Sequence, residues 1–406
     1  MRVLILSQYF WPETFRINEV AIALRDAGCE VTVLTGQPNY PEGLVYEGYS
    51  PCSVGSESYD GITVFRVPLA PRGEGSGLKL ILNYLSFVVS ASAIGPWLLR
   101  GRSFDTIFVF GLSPILQVIP GVWLAWLKKS ALITWVQDLW PDSLSATGYV
   151  KDERLLGLVA QLVKWIYKKN DLLLVQSHAF VEPVSLLAES TPVIYHPNPG
   201  DFAFSDPVAS GECPIIFDKG FSVVFAGNFG TVQSLETILE AANLLKNERD
   251  IHFILVGNGS RMKWLQMEVD RLGLTNLRLP GRFPLSTMPI ILSKASVLLV
   301  SLIRNQIMSQ TVPSKVQAYL AAGKPIIASL DGEGARIVEE ANAGLACPAE
   351  DAKELADAVK RLRDAPEEQI HKMGQSARKY YEENFEPRLL ASRLLRILSG
   401  IKKDGA

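Results

Sequence analysis

The sequence predicts an α/β protein built from two Rossmann-like domains, each formed around a parallel sheet. Three observations carry that expectation. Short apolar runs of strand character alternate with longer runs of helical period. The alternation breaks once, in a segment rich in Pro, Gly, Asp and Ser, and then restarts. The 406 residues also suit two domains of about 100 to 200 residues each. An apolar content of 48% against 20% charged residues is that of a core-forming chain and excludes disorder. Lys and Arg number 40 against 42 Asp and Glu, a formal charge of -2, so no basic excess is present to neutralise a nucleic-acid backbone. Cys29, Cys52, Cys213 and Cys347 lie far apart without a C-x-x-C pair. That spacing argues against a zinc site or a disulfide framework and fits a reducing compartment.

The elements follow in order. Residues 1–6 enter a strand at once, with no basic region and no small-residue cleavage site, so no secretory signal is expected and the mature chain should start at Met1. Ile17, Val20, Ala21, Leu24 and Ala27 recur at helical spacing, Gly28 stops the helix, and VTVLT forms the next strand. Residues 80–99 are uncharged and largely apolar, about the length that crosses a bilayer as a helix. Asn83, the serines and Gly95-Pro96 suit a buried or membrane-surface helix equally well. TIFVF, an apolar segment at 114–127, LITWV and LLLVQ continue the alternation, in runs of the kind that a parallel sheet covers on both faces. These residues make a first domain over 1–198, followed by a linker over 199–220. A second domain over 221–386 runs through SVVFAG, a helix with Leu235, Ile238, Leu239, Ala242 and Leu245 on one face, HFILVG, LRLPG, SVLLVS and PIIAS. Residues 387–406 begin as a closing helix.

Ligands of open parallel sheets sit beyond the carboxyl ends of the strands. The first such loop, SQYFWPETFRIN, has no glycine and so cannot be a dinucleotide fingerprint. In the second domain the strands end in Gly227-Asn228-Phe229-Gly230, Gly257-Asn258-Gly259 and Gly281, and Asp331-Gly332-Glu333-Gly334 follows the last of them. Pro313-Ser314-Lys315 should open a helix ending at Gly323, and Gly332-Glu333-Gly334-Ala335 another ending near Gly344. Free N–H groups at two helix starts can hold a diphosphate between them. Lys315 supports this, because a lysine in a first turn opposes the helix dipole; an ordinary exposed lysine is the alternative. No D-x-D or compact His motif is present among His178, His196, His252 and His371, so no metal is expected. The P-loop and G-x-S-x-G patterns are absent too, which disfavours an NTPase and an α/β-hydrolase.

Taken together, VTVLTGQPNYPEG, DLWPDS, GNFGTVQSLETILEAA, FILVGNGSR, LRLPGRFPLSTMPIILSKASVLLVSL and PSKVQAYLAAGKPIIASLDGEGA resemble a family 4 glycosyltransferase. The likeness covers nearly the whole chain. Within the family it resembles the subgroup that builds bacterial O-antigen, capsule and exopolysaccharide repeat units, including the L-fucosamine and colanic acid transferases. The resemblance implies a GT-B fold, two Rossmann-like domains with parallel sheets facing across a central cleft. It also implies metal-independent, retaining transfer of a sugar from a nucleoside-diphosphate donor, a UDP-sugar before a GDP-sugar, to a lipid-linked saccharide. No cofactor and no nucleic acid would take part, and the enzyme would lie in the cytoplasm, peripheral on the inner membrane.

The implied donor set is Gly227, Asn228, Gly230, Gln233, Gly257, Gly259, Arg282, Phe283, Ser314, Lys315, Gly332, Glu333, Gly334 and Ala335. Lys315, Glu333 and Asp138 are the expected catalytic groups: Lys315 at the diphosphate, Glu333 at sugar or ribose hydroxyls, and Asp138 near the transferred sugar, where many relatives carry histidine. Structural readings stand beside these, with Glu333 complementing a helix dipole, Phe283 in the core and Asp138 capping a turn. Glu13 and Arg16 are placed at the acceptor or the donor phosphate, and Tyr9, Phe10 and Trp11 either stack on a sugar or pack. Trp97, Arg100, Arg102, Trp123, Trp126, Lys128 and Lys129 suit a membrane surface.

The chain also departs from the family pattern. Many members carry Arg and Lys where Asn228 and Gln233 stand, and a pair of Glu where Gln310 and Ala318 stand. Either activity is lost, or amides and helix starts replace the charges while keeping hydrogen bonds of about 1.5 to 3 kcal/mol to a charged acceptor. A sugar-nucleotide epimerase and a silent nucleotide-sugar-binding partner are the competing readings.

Overall fold

The computed structural model describes residues 1–73, 77–146, 152–204 and 211–401. Its strands are β1 (Arg2–Leu6), β2 (Glu30–Thr35), β3 (Gly55–Tyr59), β4 (Ile62–Arg66), β5 (Thr106–Gly111), β6 (Ala131–Val136), β7 (Leu172–Val175) and β8 (Val193–Tyr195), then β9 (Phe221–Asn228), β10 (Ile251–Asn258), β11 (Leu277–Gly281), β12 (Val297–Ser301), β13 (Ile326–Ser329) and β14 (Gly344–Cys347). Around the first eight lie α1 (Arg16–Asp26), α2 (Gly77–Leu98), α3 (Val118–Lys128), α4 (Asp142–Ala146), α5 (Glu153–Lys168) and α6 (Val181–Ala188). The later helices are α7 (Leu235–Leu244), α8 (Met262–Leu272), α9 (Met288–Ser293), α10 (Gln306–Gln310), α11 (Ser314–Ala322), α12 (Glu333–Glu340), α13 (Ala352–Arg363), α14 (Glu367–Asn384) and α15 (Pro387–Gly400).

The chain divides into two compact units, residues 1–198 with the segment from Leu390 onward, and residues 199–389. Of the expected linker, residues 205–210 lie outside the described residues, as do residues 402–406 of the closing segment.

The first unit holds an eight-stranded sheet in the order β3-β4-β2-β1-β5-β6-β7-β8, parallel except for β3. Side chains alternate across it. Leu4 and Leu6 of β1 face a core shared with α2, α3, α5 and α6, whereas Val3 and Ile5 face one shared with α1 and α15 through Leu394 and Leu398. The antiparallel β3–β4 hairpin is an element that sequence periodicity does not reveal, because β3 is a mostly exposed GSESY. Its signal is the turn, where Asp60 and Gly61 take φ of 49° and 78°. Asp-Gly favours such a two-residue turn because both positions need positive φ.

The second unit holds a parallel sheet in the order β11-β10-β9-β12-β13-β14. Val224 and Ala226 of β9 face α11 and α14, and Val223 and Phe225 face α7 and α13. The helix expected to run from Gly332 toward Gly344 is shorter. It closes at Glu340 because Asn342 adopts φ 48°, and Gly344 already begins β14.

Candidate functional site

In the second unit, β9 and β10 run in register through Gly227 and Gly257, then Asn228 and Asn258. At Gly257 and Gly259 only glycine fits. A Cβ on Gly257 would meet the Gly227 carbonyl oxygen at 1.8 Å, and one on Gly259 would lie 2.6 Å from the Phe229 nitrogen. The turn is tied by Phe229 N–H donating to the Asn258 carbonyl (2.9 Å) and Arg261 N–H to the Phe229 carbonyl (3.0 Å). Asn228 is left exposed at the strand end, above the buried Gly230.

Helix α11 reaches this edge through two residues one turn apart, which share a helix face. The Tyr319 hydroxyl accepts the Ala226 N–H at 2.8 Å and fixes the helix against β9. From the preceding turn, Lys315 crosses Gly227, where an added Cβ would lie 2.4 Å from the lysine Cε. Its amine donates to Gln233 Oε1 and stands 4.0 Å from the centre of the Phe225 ring. Burial pushes its pKa down to about 7, since an ammonium loses hydration there. Tyr319 and Phe225 are the residues that sequence reading missed. The four-residue spacing from Lys315 was the available signal for Tyr319, whereas Phe225 read only as a strand apolar.

The two helix starts lie side by side. A Cβ on Gly334 would be 3.1 Å from Pro313 Cδ, and neither Pro313 nor Gly332 caps its helix with a side chain. Gly332 takes φ 78° and packs on Ser309, whose carbonyl oxygen would be 2.0 Å from an added Cβ. First-turn N–H groups of both helices, from Ser314 and Lys315 and from Glu333, Gly334 and Ala335, have no partner within their own helix. Glu333 is buried and forms a two-pronged ion pair with Arg336 at 3.0 and 3.1 Å, so much of its hydrogen-bonding capacity is directed within α12. Arg282 is exposed after β11, and Phe283 is half-buried against the core.

In the first unit Asp138 follows β6, and its carboxylate accepts the Ser113 N–H at 3.0 Å from the loop after β5. Burial raises its pKa, against that hydrogen bond. The bond bridges two strand-end loops. Beside it, Asn198 donates to Gln137 Oε1 (2.9 Å) and Gln176 Oε1 (2.8 Å), which binds together the loops after β6, β7 and β8.

Glu13 requires a correction. It is 1% exposed, and its oxygens accept the N–H groups of Phe10 (3.2 Å), Asn39 (2.8 Å) and Tyr40 (2.7 Å). A carboxylate so enclosed clips two loops together and cannot touch an acceptor. Burial raises its pKa to about 7, opposed by those three backbone donors. Arg16 is partly buried and paired with Glu19 at 3.1 Å. Tyr9, Phe10 and Trp11 pack: Tyr9 stacks on Phe15 at 5.3 Å, Phe10 meets Tyr59 edge-on at 5.5 Å, and Trp11 stacks on Tyr59 at 5.2 Å.

Two mostly parallel sheets, the second with glycines closing the ends of β9, β10 and β11, make up a GT-B fold. The sucrose-phosphate synthase of Thermosynechococcus elongatus shares that fold at a TM-score of 0.71 and 17% identity, over 98% of each chain. The Anabaena protein HepE, solved in complex with UDP, does so at a TM-score of 0.66 and 15% identity, over 99% of this chain and 100% of that one. Residues 14–199 match the model described as glycosyl transferase 4-like domain, and residues 220–364 the model described as glycosyl transferases group 1. The chain belongs to the family 4 glycosyltransferases. The Escherichia coli (strain K12) protein WcaI, a glycosyl transferase named for colanic acid biosynthesis, is 28% identical over 80% of this chain and 82% of its own length.

Proposed function

We propose that this chain transfers a sugar from a nucleoside-diphosphate donor, a UDP-sugar before a GDP-sugar, to a hydroxyl of a lipid-linked saccharide. The setting would be assembly of a bacterial surface polysaccharide at the cytoplasmic face of the inner membrane. The observation that carries the donor half is the pairing of two uncapped helix starts, α11 and α12, with the Lys315 amine lying across Gly227. Support for the class of donor and product comes from HepE, which binds UDP, and from the naming of WcaI.

In this reading the diphosphate lies on the first-turn N–H groups, and Asn228 and Gln233 supply amide donors. The bond from the anomeric carbon to the diphosphate oxygen breaks and the acceptor oxygen bonds to that carbon from the same face. The acceptor proton passes to a diphosphate oxygen. Negative charge grows on the leaving diphosphate, and oriented N–H dipoles with a protonated Lys315 stabilise it without reorganising. No protein nucleophile and no metal is required. Glu333 would hold sugar or ribose hydroxyls. Asp138 would serve the transferred sugar and Arg16 the acceptor.

The test is transfer by the purified chain from UDP-sugars to a lipid-linked acceptor in the presence of EDTA, with the product anomer read by NMR. A retained anomer supports the proposal. A new sugar nucleotide formed from donor alone would mean an epimerase, and donor binding with no turnover a silent partner.

A further inference from the structure

Helix α2 has the length and composition to cross a membrane, yet it is built into the first unit. Asn83, Phe87, Ser90, Ala91 and Gly95 are buried along it. Asn83 accepts from Gln8 Nε2 at 2.7 Å and donates to the Ala70 carbonyl at 2.6 Å, and Ser90 donates to the Pro68 carbonyl at 2.6 Å. Crossing a bilayer would break these bonds and expose the core face of the sheet. The opposite side of the helix is the unusual one. Leu78, Ile81, Leu82, Leu85 and Val89, spaced as one helical stripe, stand 47–68% exposed.

Two neighbouring helices repeat this pattern on the same face of the sheet. In α5, Val163, Ile166 and Tyr167 are buried, while Leu155, Leu158, Leu162 and Trp165 form a second apolar stripe on the outside. In α3, Trp123 and Trp126 stack on each other at 5.1 Å and are both exposed. The Lys128 amine donates to the carbonyls of Leu99 (2.6 Å) and Arg102 (3.0 Å), which locks the end of α3 to the turn after α2. Taking a large apolar side chain as about 200 Å², these fractional exposures leave on the order of 1,000 Å² of apolar surface in water, beyond what a soluble monomer keeps in one patch.

The charges select the occupant. The three helices carry Lys79, Lys128, Arg154, Lys164 and Lys168 against the single acid Glu153, with Arg100, Lys129 and Lys169 beside their ends; Asp152 caps α5 and Glu189 pairs with both Lys164 (2.6 Å) and Lys168 (2.5 Å), which still leaves the margin basic. A two-fold dimer through this face would set the same basic groups against one another. An anionic lipid surface matches both the apolar stripes and the basic margin, and the four exposed tryptophans Trp97, Trp123, Trp126 and Trp165 suit its polar boundary. We propose that α2, α3 and α5 together form a lipid-facing plane that seats on a membrane bearing anionic headgroups, with α2 lying along the surface and not across it. The plane stands on its own residues and does not depend on the transfer reaction, although it would bring the enzyme to a lipid-linked acceptor.

Flotation of the purified full chain with vesicles containing phosphatidylglycerol, against vesicles of phosphatidylcholine alone, is the test. The chain is expected to float with the first, to be released by high salt or alkaline carbonate, and to shift its tryptophan emission to the blue. Leu82→Glu, Leu158→Glu and Trp126→Glu should each lower partitioning by about tenfold or more, as a carboxylate enters apolar surroundings. Ile216→Glu and Met267→Glu, exposed in the other unit, should not. Thermal melts establish that the variants fold, and turnover on a short water-soluble acceptor should stay unchanged, which separates this proposal from the catalytic one. Equal flotation of all variants, no flotation at all, resistance to carbonate, or a dimer abolished by the same three substitutions would overturn it.

Discussion

Lys315 passes directly over Gly227, so that the glycine hydrogen occupies the only space the lysine leaves at the end of β9. The Phe225 ring, 4.0 Å from the amine, forms the floor of that passage. The arrangement exposes little of the amine to water and depresses its pKa to about 7. A bound diphosphate would draw a proton onto it, coupling ligand binding to protonation.

Nucleotide affinity should therefore depend on pH. The free amine titrates near 7 and the diphosphate-bound amine higher, so binding takes up a proton only above the free value. Affinity for UDP should be highest below pH 7 and fall by up to tenfold per unit above it. Lys315→Met should flatten that slope and Lys315→Ala should lower turnover at least tenfold with the melting temperature retained. Calorimetric titration across pH 6 to 9 reads the first, and an unchanged slope in the methionine variant would remove Lys315 from the binding site.

Two glycines one strand apart should fail differently. In Gly227→Ala the new methyl meets the movable end of a lysine, so UDP binding should drop with only about 1–2 kcal/mol lost from the fold. In Gly257→Ala it meets a backbone carbonyl at 1.8 Å, and the β9–β10 pairing must give way. Urea denaturation should show the second variant less stable by about 3 kcal/mol or more.

Tyr319→Phe removes the hydroxyl that accepts the buried Ala226 N–H. Leaving that donor unpaired should cost about 1–3 kcal/mol. Because the same helix carries Lys315, KM for the donor should rise as well.

Glu13→Gln tests the loop clip. An amide cannot accept three N–H groups with its nitrogen edge, so stability should fall by about 1–3 kcal/mol while UDP affinity remains. A loss of acceptor binding at unchanged stability would return Glu13 to the role that its loop position first suggested.

The elements of the second unit were legible because each leaves a local trace. Apolar runs marked β9, β10, β12 and β13, glycines marked where backbone must approach backbone, and Pro313-Ser314-Lys315 and Gly332-Glu333 marked the starts of α11 and α12. Hairpin β3–β4 was not, since its first strand is exposed and polar, with neither face patterned. Glu13 misled because a carboxylate in a strand-end loop has the same local sequence whether it faces a ligand or the N–H groups of Asn39 and Tyr40, which lie on another loop.

By itself the sequence determined two parallel-sheet units and the glycosyltransferase family, because strand periodicity, helix starts and backbone clearance are set within a few residues. Which side chains close on each other was decided only by the tertiary structure. Lys315 over Gly227, Tyr319 on Ala226 and the apolar outer stripes of α2 and α5 depend on which strand or helix face is covered by a segment distant in the chain, and burial is a property of that covering. Apolar spacing by itself does not say whether a sheet lies against it.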